Sequence, residues 1–216
     1  GQVYCIVGPN GCGKSTLLSI ISGEQKPSEG SVWFEGRRIS GTAPYRIARM
    51  GILRKFQAPS FFPTLSVAEN LECAFMARTA PMARLNAGAH IASLSELLGV
   101  IGLRHRASLV AEELSHGEKQ WLEIGMLLVG QSPLLLLDEP TAGMSIRETQ
   151  QTVELIRRIA SEHGRTVLAI EHDMSFVSGL RCEVIALLRG KVLCRGSYDE
   201  VSSDPQVREA YLGETA

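Results

Sequence analysis

Gly8-Pro9-Asn10-Gly11-Cys12-Gly13-Lys14-Ser15-Thr16 has the spacing G-x-x-x-x-G-K-[ST] of a loop that wraps a polyphosphate. The apolar run Val3–Val7 precedes it, and a helix-like run, Thr16–Ile21, follows it. Strand, loop, helix is the setting the motif requires. Glycines let backbone N–H groups turn inward on the phosphates, and the following helix N-terminus adds partial positive charge. In such a loop Lys14 bridges the terminal phosphates and the Ser15 hydroxyl serves Mg²⁺, while Gly8, Pro9, Asn10, Gly11, Cys12, Gly13 and Thr16 form the cradle. A Gly-rich turn without a ligand is the plain alternative, and the flanking elements argue against it.

The rest of the chain sets bounds. Among 216 residues there are 22 Lys plus Arg against 23 Asp plus Glu, a formal net charge of −1. That balance speaks against a protein that coats nucleic acid through bulk charge. The most apolar segments, Leu134–Leu137 and Met126–Val129, fall far short of the roughly 18 residues that span a bilayer. No charged-then-apolar leader is evident. The expectation is a soluble chain whose membrane role, if any, goes through a partner. Cys5, Cys12, Cys73, Cys182 and Cys194 show no C-x-x-C pairing, which reads as reduced and cytosolic.

Short apolar runs bounded by turn signals recur at Val3–Val7, Leu134–Leu137, Val167–Ile170 and Val184–Leu188. They lack polar alternation, as expected of parallel strands buried on both faces. Helical patterns separate them, for example over Ile146–Glu162, so an open α/β sheet is expected. Ser31–Glu35 and Lys191–Cys194 flank Gly-containing turns and read as antiparallel edge strands. From about Ser60 to Leu114 strand-like runs vanish. Ser66-Val67-Ala68-Glu69 is a capping box opening a helix toward Arg78, and Ile91–Leu98 reads as a second helix. The expected organisation is a phosphate-binding-loop core over 1–59 and 115–216, with an inserted α-helical subdomain over 60–114.

Leu134-Leu135-Leu136-Leu137-Asp138-Glu139-Pro140 sets two carboxylates at the C-terminal end of a buried strand, the edge where open α/β sheets bind ligands. An uncompensated carboxylate there costs several kcal/mol, so roughly one cation is called for. Mg²⁺ relieves Asp138, and Glu139 is placed to orient or deprotonate a water. Ser115-His116-Gly117-Glu118 is another capping box, opening an amphipathic helix over Lys119–Leu128. Gly117 is a poor residue for a first helical turn unless something approaches the backbone closely. A capped helix N-terminus with a glycine is a second anion site.

Together these elements resemble the ATP-binding subunit of an ABC transporter. Leu114-Ser115-His116-Gly117-Glu118 resembles that family's L-S-G-G-Q signature. Phe56-Gln57 resembles its Gln-containing loop, and Glu171-His172-Asp173 its His-containing switch. All stand in family order across nearly the entire chain. The fold implied is a phosphate-binding-loop NTPase core, a parallel sheet with antiparallel edge strands, carrying a helical insert.

The resemblance also implies a mechanism. Two such subunits pair head to tail on ATP and Mg²⁺. Lys14, Ser15, Asp138 and Gln57 of one chain hold the Mg-nucleotide, with Ser15, Gln57 and Asp138 facing the metal. Ser115, Gly117 and Glu118 of the other chain close over the γ-phosphate. Glu139 activates water, and His172 and Gln57 complete the catalytic set. His116 and Glu118 depart from the commoner Gly and Gln, and Ser145 stands where the family usually has Asp. The family's adenine-stacking aromatic lies upstream of the phosphate loop, so a segment preceding Gly1 is expected.

The longer run from Leu114 to Leu128, Arg54-Lys55-Phe56-Gln57, Ala142-Gly143-Met144 and Glu209-Ala210-Tyr211-Leu212-Gly213 are similar to ATPase subunits of urea-type importers. These lie within the branched-chain and hydrophobic amino-acid importer group. The resemblance implies an importer for urea or a related small amide. A branched-chain amino-acid importer is the first alternative, and a non-transport ABC ATPase is the alternative of another class. Permease subunits, a second ATP-binding subunit and, indirectly, a solute-binding protein are the implied partners, with no nucleic acid. The implied place is the cytoplasmic face of the membrane. Ala58-Pro59-Ser60-Phe61-Phe62 and the helix over 66–78 are the expected docking surface, with Phe61 and Phe62 equally suited to filling a hinge.

Overall fold

The computed structural model describes residues 1–55, 60–78, 87–129 and 132–212. In chain order they form β1 (Val3–Val7), α1 (Lys14–Ile21), β2 (Trp33–Phe34), β3 (Arg37–Arg38), α2 (Pro44–Arg49), β4 (Ile52–Lys55), α3 (Val67–Arg78), α4 (Ala87–Val100), α5 (His116–Leu128), β5 (Leu134–Asp138), α6 (Ile146–Ser161), β6 (Thr166–Ile170), α7 (Met174–Leu180), β7 (Glu183–Leu188), β8 (Lys191–Gly196), α8 (Tyr198–Ser203) and α9 (Pro205–Leu212).

Six strands form one sheet in the order β4-β5-β6-β1-β7-β8. All pairings are parallel except the last, where β8 runs antiparallel to β7. The α/β expectation therefore holds, with one antiparallel edge. Side chains alternate between two cores, as a two-residue period demands. Leu135 and Leu137 join a large cluster with Leu71, Leu122, Ile156 and Phe176, whereas Leu136 joins Ile6, Leu18, Ile47 and Ile52 on the α1 face.

The two expected edge strands end differently. Lys191–Gly196 does pair at the sheet edge. Ser31–Glu35 contributes only Trp33–Phe34, paired with Arg37–Arg38 in a separate hairpin. Glu35 and Gly36 both take positive φ, 47° and 73°, the geometry of a tight two-residue turn that folds the segment onto itself. Its backbone bonds are thus made locally rather than to the main sheet.

Helix ends follow their caps. Ser115 and Ser145 each complete a capping box, with Glu118 and Glu148. α4 extends beyond the expected Ile91–Leu98. Sequence reading did not pick out α2, α7, α8 or α9, although Asp173 and Ser197 cap two of them.

Successive β4 residues face opposite layers. Lys55 faces the large core, where its Nζ lies 3.2 Å from Glu123 Oε2 of α5, both side chains almost wholly buried. Glu123 Oε1 accepts from the Ser60 N–H at 2.7 Å and the Ser60 hydroxyl at 3.1 Å. One carboxylate so holds the chain on both sides of residues 56–59. Removing one partner of a buried pair is strongly destabilising, so Glu123→Ala should destabilise the fold by about 3–5 kcal/mol. Lys55→Met combined with Glu123→Leu should recover most of that loss in urea denaturation.

Candidate functional site

Parallel pairing brings the C-terminal ends of β1, β4, β5 and β6 to one sheet edge, and the loops beyond them carry the motif residues. The phosphate loop leaves β1 with Gly8, Gly11 and Gly13 at φ of 154°, 74° and 105°. Gly8 is required by space as well as torsion, because a Cβ there would sit 2.3 Å from the Leu187 carbonyl oxygen. Lys14 is buried. Its ammonium donates to the Gly8 and Pro9 carbonyls at 2.7 and 2.9 Å, so the cation is held inside the loop. The Cys12 carbonyl accepts from Gly190 N–H at 2.9 Å, which docks the β7–β8 turn against the loop.

Asp138 ends β5 almost completely buried. Its Oδ2 accepts from Arg54 Nη2 at 3.0 Å, while Oδ1 is buried with no hydrogen-bond partner among the described residues. An orphaned carboxylate oxygen is costly unless something binds it. A hard oxygen donor of this kind suits Mg²⁺, whose other ligands are commonly phosphate oxygens and water. The residues present therefore fit a Mg-nucleotide, with Asp138 and Ser15 as the protein donors; bound there, the metal would neutralise phosphate charge. Gln57, the third expected donor, lies outside the described residues, as does Phe56.

Glu139 follows with φ of 49°, a left-handed conformation uncommon for a non-glycine residue and often found at functional positions. Its N–H extends the β5–β6 ladder to Ile170 O at 3.0 Å. Its Oε1 lies 3.2 Å from His172 Nε2, with both side chains about one-third exposed. The half-open pair is placed to contact water and ligand. Glu171, quoted in the sequence only as part of a motif, is buried and braces this corner. Its Oε1 accepts from Thr141 N–H at 2.8 Å and the Thr141 hydroxyl at 2.5 Å, and its Oε2 from His172 N–H at 3.0 Å.

The Ser115 corner explains the departures from the family pattern. Ser115 Oγ accepts from Glu118 N–H at 3.2 Å, and Glu118 Oε2 accepts from Ser115 N–H at 2.9 Å. The negative charge of Glu118 is met by Arg106 Nε at 3.2 Å. His116 Nε2 donates to Ala142 O at 2.9 Å, since a carbonyl can only accept. Ser145 caps α6, and its partner Glu148 does a second job: Glu148 Oε1 accepts from the Ser115 hydroxyl at 3.3 Å. A Cβ at Gly117 would meet Glu148 Oε1 at 2.5 Å, so the glycine lets this carboxylate lie close over the helix N-terminus.

Ser145-x-x-Glu148 repeats the S-x-x-E pattern read at Ser66 and Ser115, so its cap was legible. Its reach to Ser115 was not. An open cleft of 680 Å³ beside this corner is lined by Arg106, Ser115, Glu118, Ser145, Arg147 and Glu148 among others.

A glycine-cradled lysine, a buried strand-end aspartate with a bare oxygen, and a glutamate–histidine pair define a phosphate-binding-loop ATPase site. Residues 1–142 match the family model described as ABC transporter, and residues 191–216 match that of the branched-chain amino acid ATP-binding cassette transporter. The chain belongs to the ABC transporter family and is an ATPase of it.

It is 34% identical over 224 residues to the high-affinity branched-chain amino acid transport ATP-binding protein LivG of Salmonella typhimurium, covering 99% of this chain and 88% of that one. It is 33% identical over 223 residues to BraF of Pseudomonas aeruginosa, of the same description, with the same coverage. The crystal structure of the ADP conformation of MJ1267, an ATP-binding cassette of an ABC transporter, superposes with TM-score 0.86 at 30% identity, covering 98% of this chain and 88% of that one. A dimeric, post-hydrolysis cassette bound to ADP and Pi, MJ0796, superposes with TM-score 0.74 at 25% identity, covering 91% and 85%.

Hydrogen bonds from the backbone and side chain of Ser145 hold Glu148 below the usual carboxylate range, with smaller help from Ser115 and Gly117. Its folded value lies below its unfolded one, so its stabilisation is complete above about pH 4.3 and lost as pH falls through the lower folded value. Thermal melting should show Glu148→Gln less stable than wild type at neutral pH, the gap closing in acid. Lys14→Ala should abolish the thermal shift produced by ATP.

Proposed function

We propose that this ATPase powers a membrane importer of the branched-chain amino-acid group. It would lie peripherally on the cytoplasmic face of the membrane, against permease subunits supplied by a solute-binding protein. The observation that carries the reading is the gathering of Lys14, Asp138, Glu139 and Glu171-His172 at one sheet edge. The branched-chain family match over residues 191–216 and the descriptions of LivG and BraF support the solute group. Among the described residues no helix is long and apolar enough to cross a membrane, so translocation would fall to other chains. Urea or a small amide is the finer reading within the group. It rests on the Leu114–Leu128 and Arg54–Gln57 stretches, while the relatives named above are described for branched-chain amino acids.

In this reading, residues 1–59 and 115–216 form the core and 60–114 the helical insert. The phosphate loop holds ATP, Asp138 and Ser15 face the metal, and Glu139 takes a proton from the attacking water with His172 beside the γ-phosphate. Catalysis is mostly positioning and charge neutralisation. Ser115 and Gly117 of a second cassette close over the γ-phosphate; the dimeric ADP-and-Pi cassette supports pairing of this kind. Glu148 already occupies that helix N-terminus in cis, and two anions do not share it, so the incoming phosphate displaces it.

The permease would meet the groove between core and insert, a 330 Å³ cleft lined in part by Ile52, Ser60, Ala74, Glu123 and Met126. Phe62 is exposed, which suits it to a docking surface, whereas Phe61 packs on the large core.

Glu139→Gln should abolish hydrolysis, retain ATP binding and yield an ATP-dependent dimer on sizing. Persistent monomers at saturating ATP would refute the shared site. In that background Glu148→Gln should tighten the dimer, and an unchanged or weakened one would reduce Glu148 to a brace. A ligand screen of the cognate solute-binding protein, leucine and valine against urea and acetamide, decides the solute. ATPase activity indifferent to permease would favour the non-transport alternative.

A further inference from the structure

Arg54 stands one residue before the buried Lys55 and faces the other way. It shares a sheet face with Ile52, and on β5 Asp138 shares that face with Leu136; both of these apolar residues belong to the α1-side core. The register pairs Arg54 with Leu136, which brings the guanidinium under the end of β5. The side chain is only 9% exposed.

Among the described residues its contacts reach the end of β5, helix α1 and the turn that follows α1. Nη2 donates to Asp138 Oδ2 at 3.0 Å. Nη1 donates to Ser19 Oγ of α1 at 2.8 Å and to Glu24 Oε2 at 3.0 Å. Glu24 is itself held, since its Oε1 accepts from Ser22 Oγ at 2.9 Å. One planar group therefore ties the end of β5 to the helix that begins at Lys14. Only arginine offers donors in a fixed fork with this reach; a lysine ammonium is a point charge on a flexible stem.

A carboxylate gripped through one oxygen has lost its freedom to rotate. Arg54 takes Oδ2, and Oδ1 is left buried and without a partner among the described residues. We propose that Arg54 is a positioning residue for the metal ligand: by clamping Asp138 Oδ2 to α1, it presents Oδ1 to the divalent cation of the nucleotide. The fork also fixes Asp138 relative to α1, which carries Ser15, the other protein donor. Arg54 touches neither metal nor nucleotide and acts through Asp138. The inference rests on Asp138 being the metal ligand.

The test is Mn²⁺ binding to the ADP complex, followed by electron paramagnetic resonance, with ADP affinity in EDTA as the metal-free control. Loss of an orienting partner of this kind weakens metal binding by about 10–100-fold, so Arg54→Met should lower Mn²⁺ affinity in that range while metal-free ADP affinity holds. Arg54→Lys, which keeps the charge but not the fork, should recover only part of it. In an Asp138→Asn background Arg54→Met should add nothing, because the ligand it serves is gone.

Unchanged Mn²⁺ affinity in Arg54→Met overturns the proposal, as does an equal fall in metal-free ADP affinity or additivity in the double variant. Should Arg54→Met fail to fold by thermal melting, Arg54→Lys alone decides, with wild-type Mn²⁺ affinity the overturning result. Asp138→Asn by itself separates the two claims. If it leaves Mn²⁺ affinity intact, the assignment of Asp138 fails; if it abolishes binding while Arg54→Met does not, only the role of Arg54 fails.

Discussion

Parallel pairing of five strands is the constraint on which the rest of the structure depends. It sends the C-terminal ends of β4, β5, β6, β1 and β7 to one edge, so residues far apart in sequence meet there without any loop having to reach. Parallel strands need crossover connections, and these cover both faces with helices. The sheet interior is consequently apolar, and charge is confined to the strand ends. Chemistry collects at that edge because polar side chains have little place elsewhere in the sheet.

The charges admitted there are not left alone. Lys14 sits in a ring of carbonyls, Asp138 meets Arg54, Glu171 takes hydrogen bonds from Thr141 and His172, and Lys55 meets Glu123. Burial makes each of these groups costly without a partner. Asp138 Oδ1, bare among the described residues, is the oxygen that the proposed cation would take. Away from this edge, burial raises the Cys5 thiol well above the ordinary range and pushes Cys182 up to about 11.

Much of this was legible in the sequence because it is local. The phosphate-loop spacing, the apolar runs and the S-x-x-E caps each occupy a few consecutive residues, and the elements they mark form. What escaped was set by distance along the chain. Glu148 reads as an ordinary capping acid, and only the fold brings the start of α6 to Ser115, 33 positions away. Arg54 stood out only as part of the Arg54-Lys55-Phe56-Gln57 stretch. Its burial follows from strand order, which no local pattern encodes. Ser31–Glu35 erred in the opposite direction, since a tight turn satisfied locally what had been assigned to the sheet.

Glu123 grips residue 55 and residue 60 at once, from the helix that begins at His116. Lys55 and Ser60 are therefore fixed to one post, and drawing either away breaks a buried ion pair or a charge-assisted hydrogen bond. A pull on either residue is borne by α5, the helix whose N-cap is Ser115.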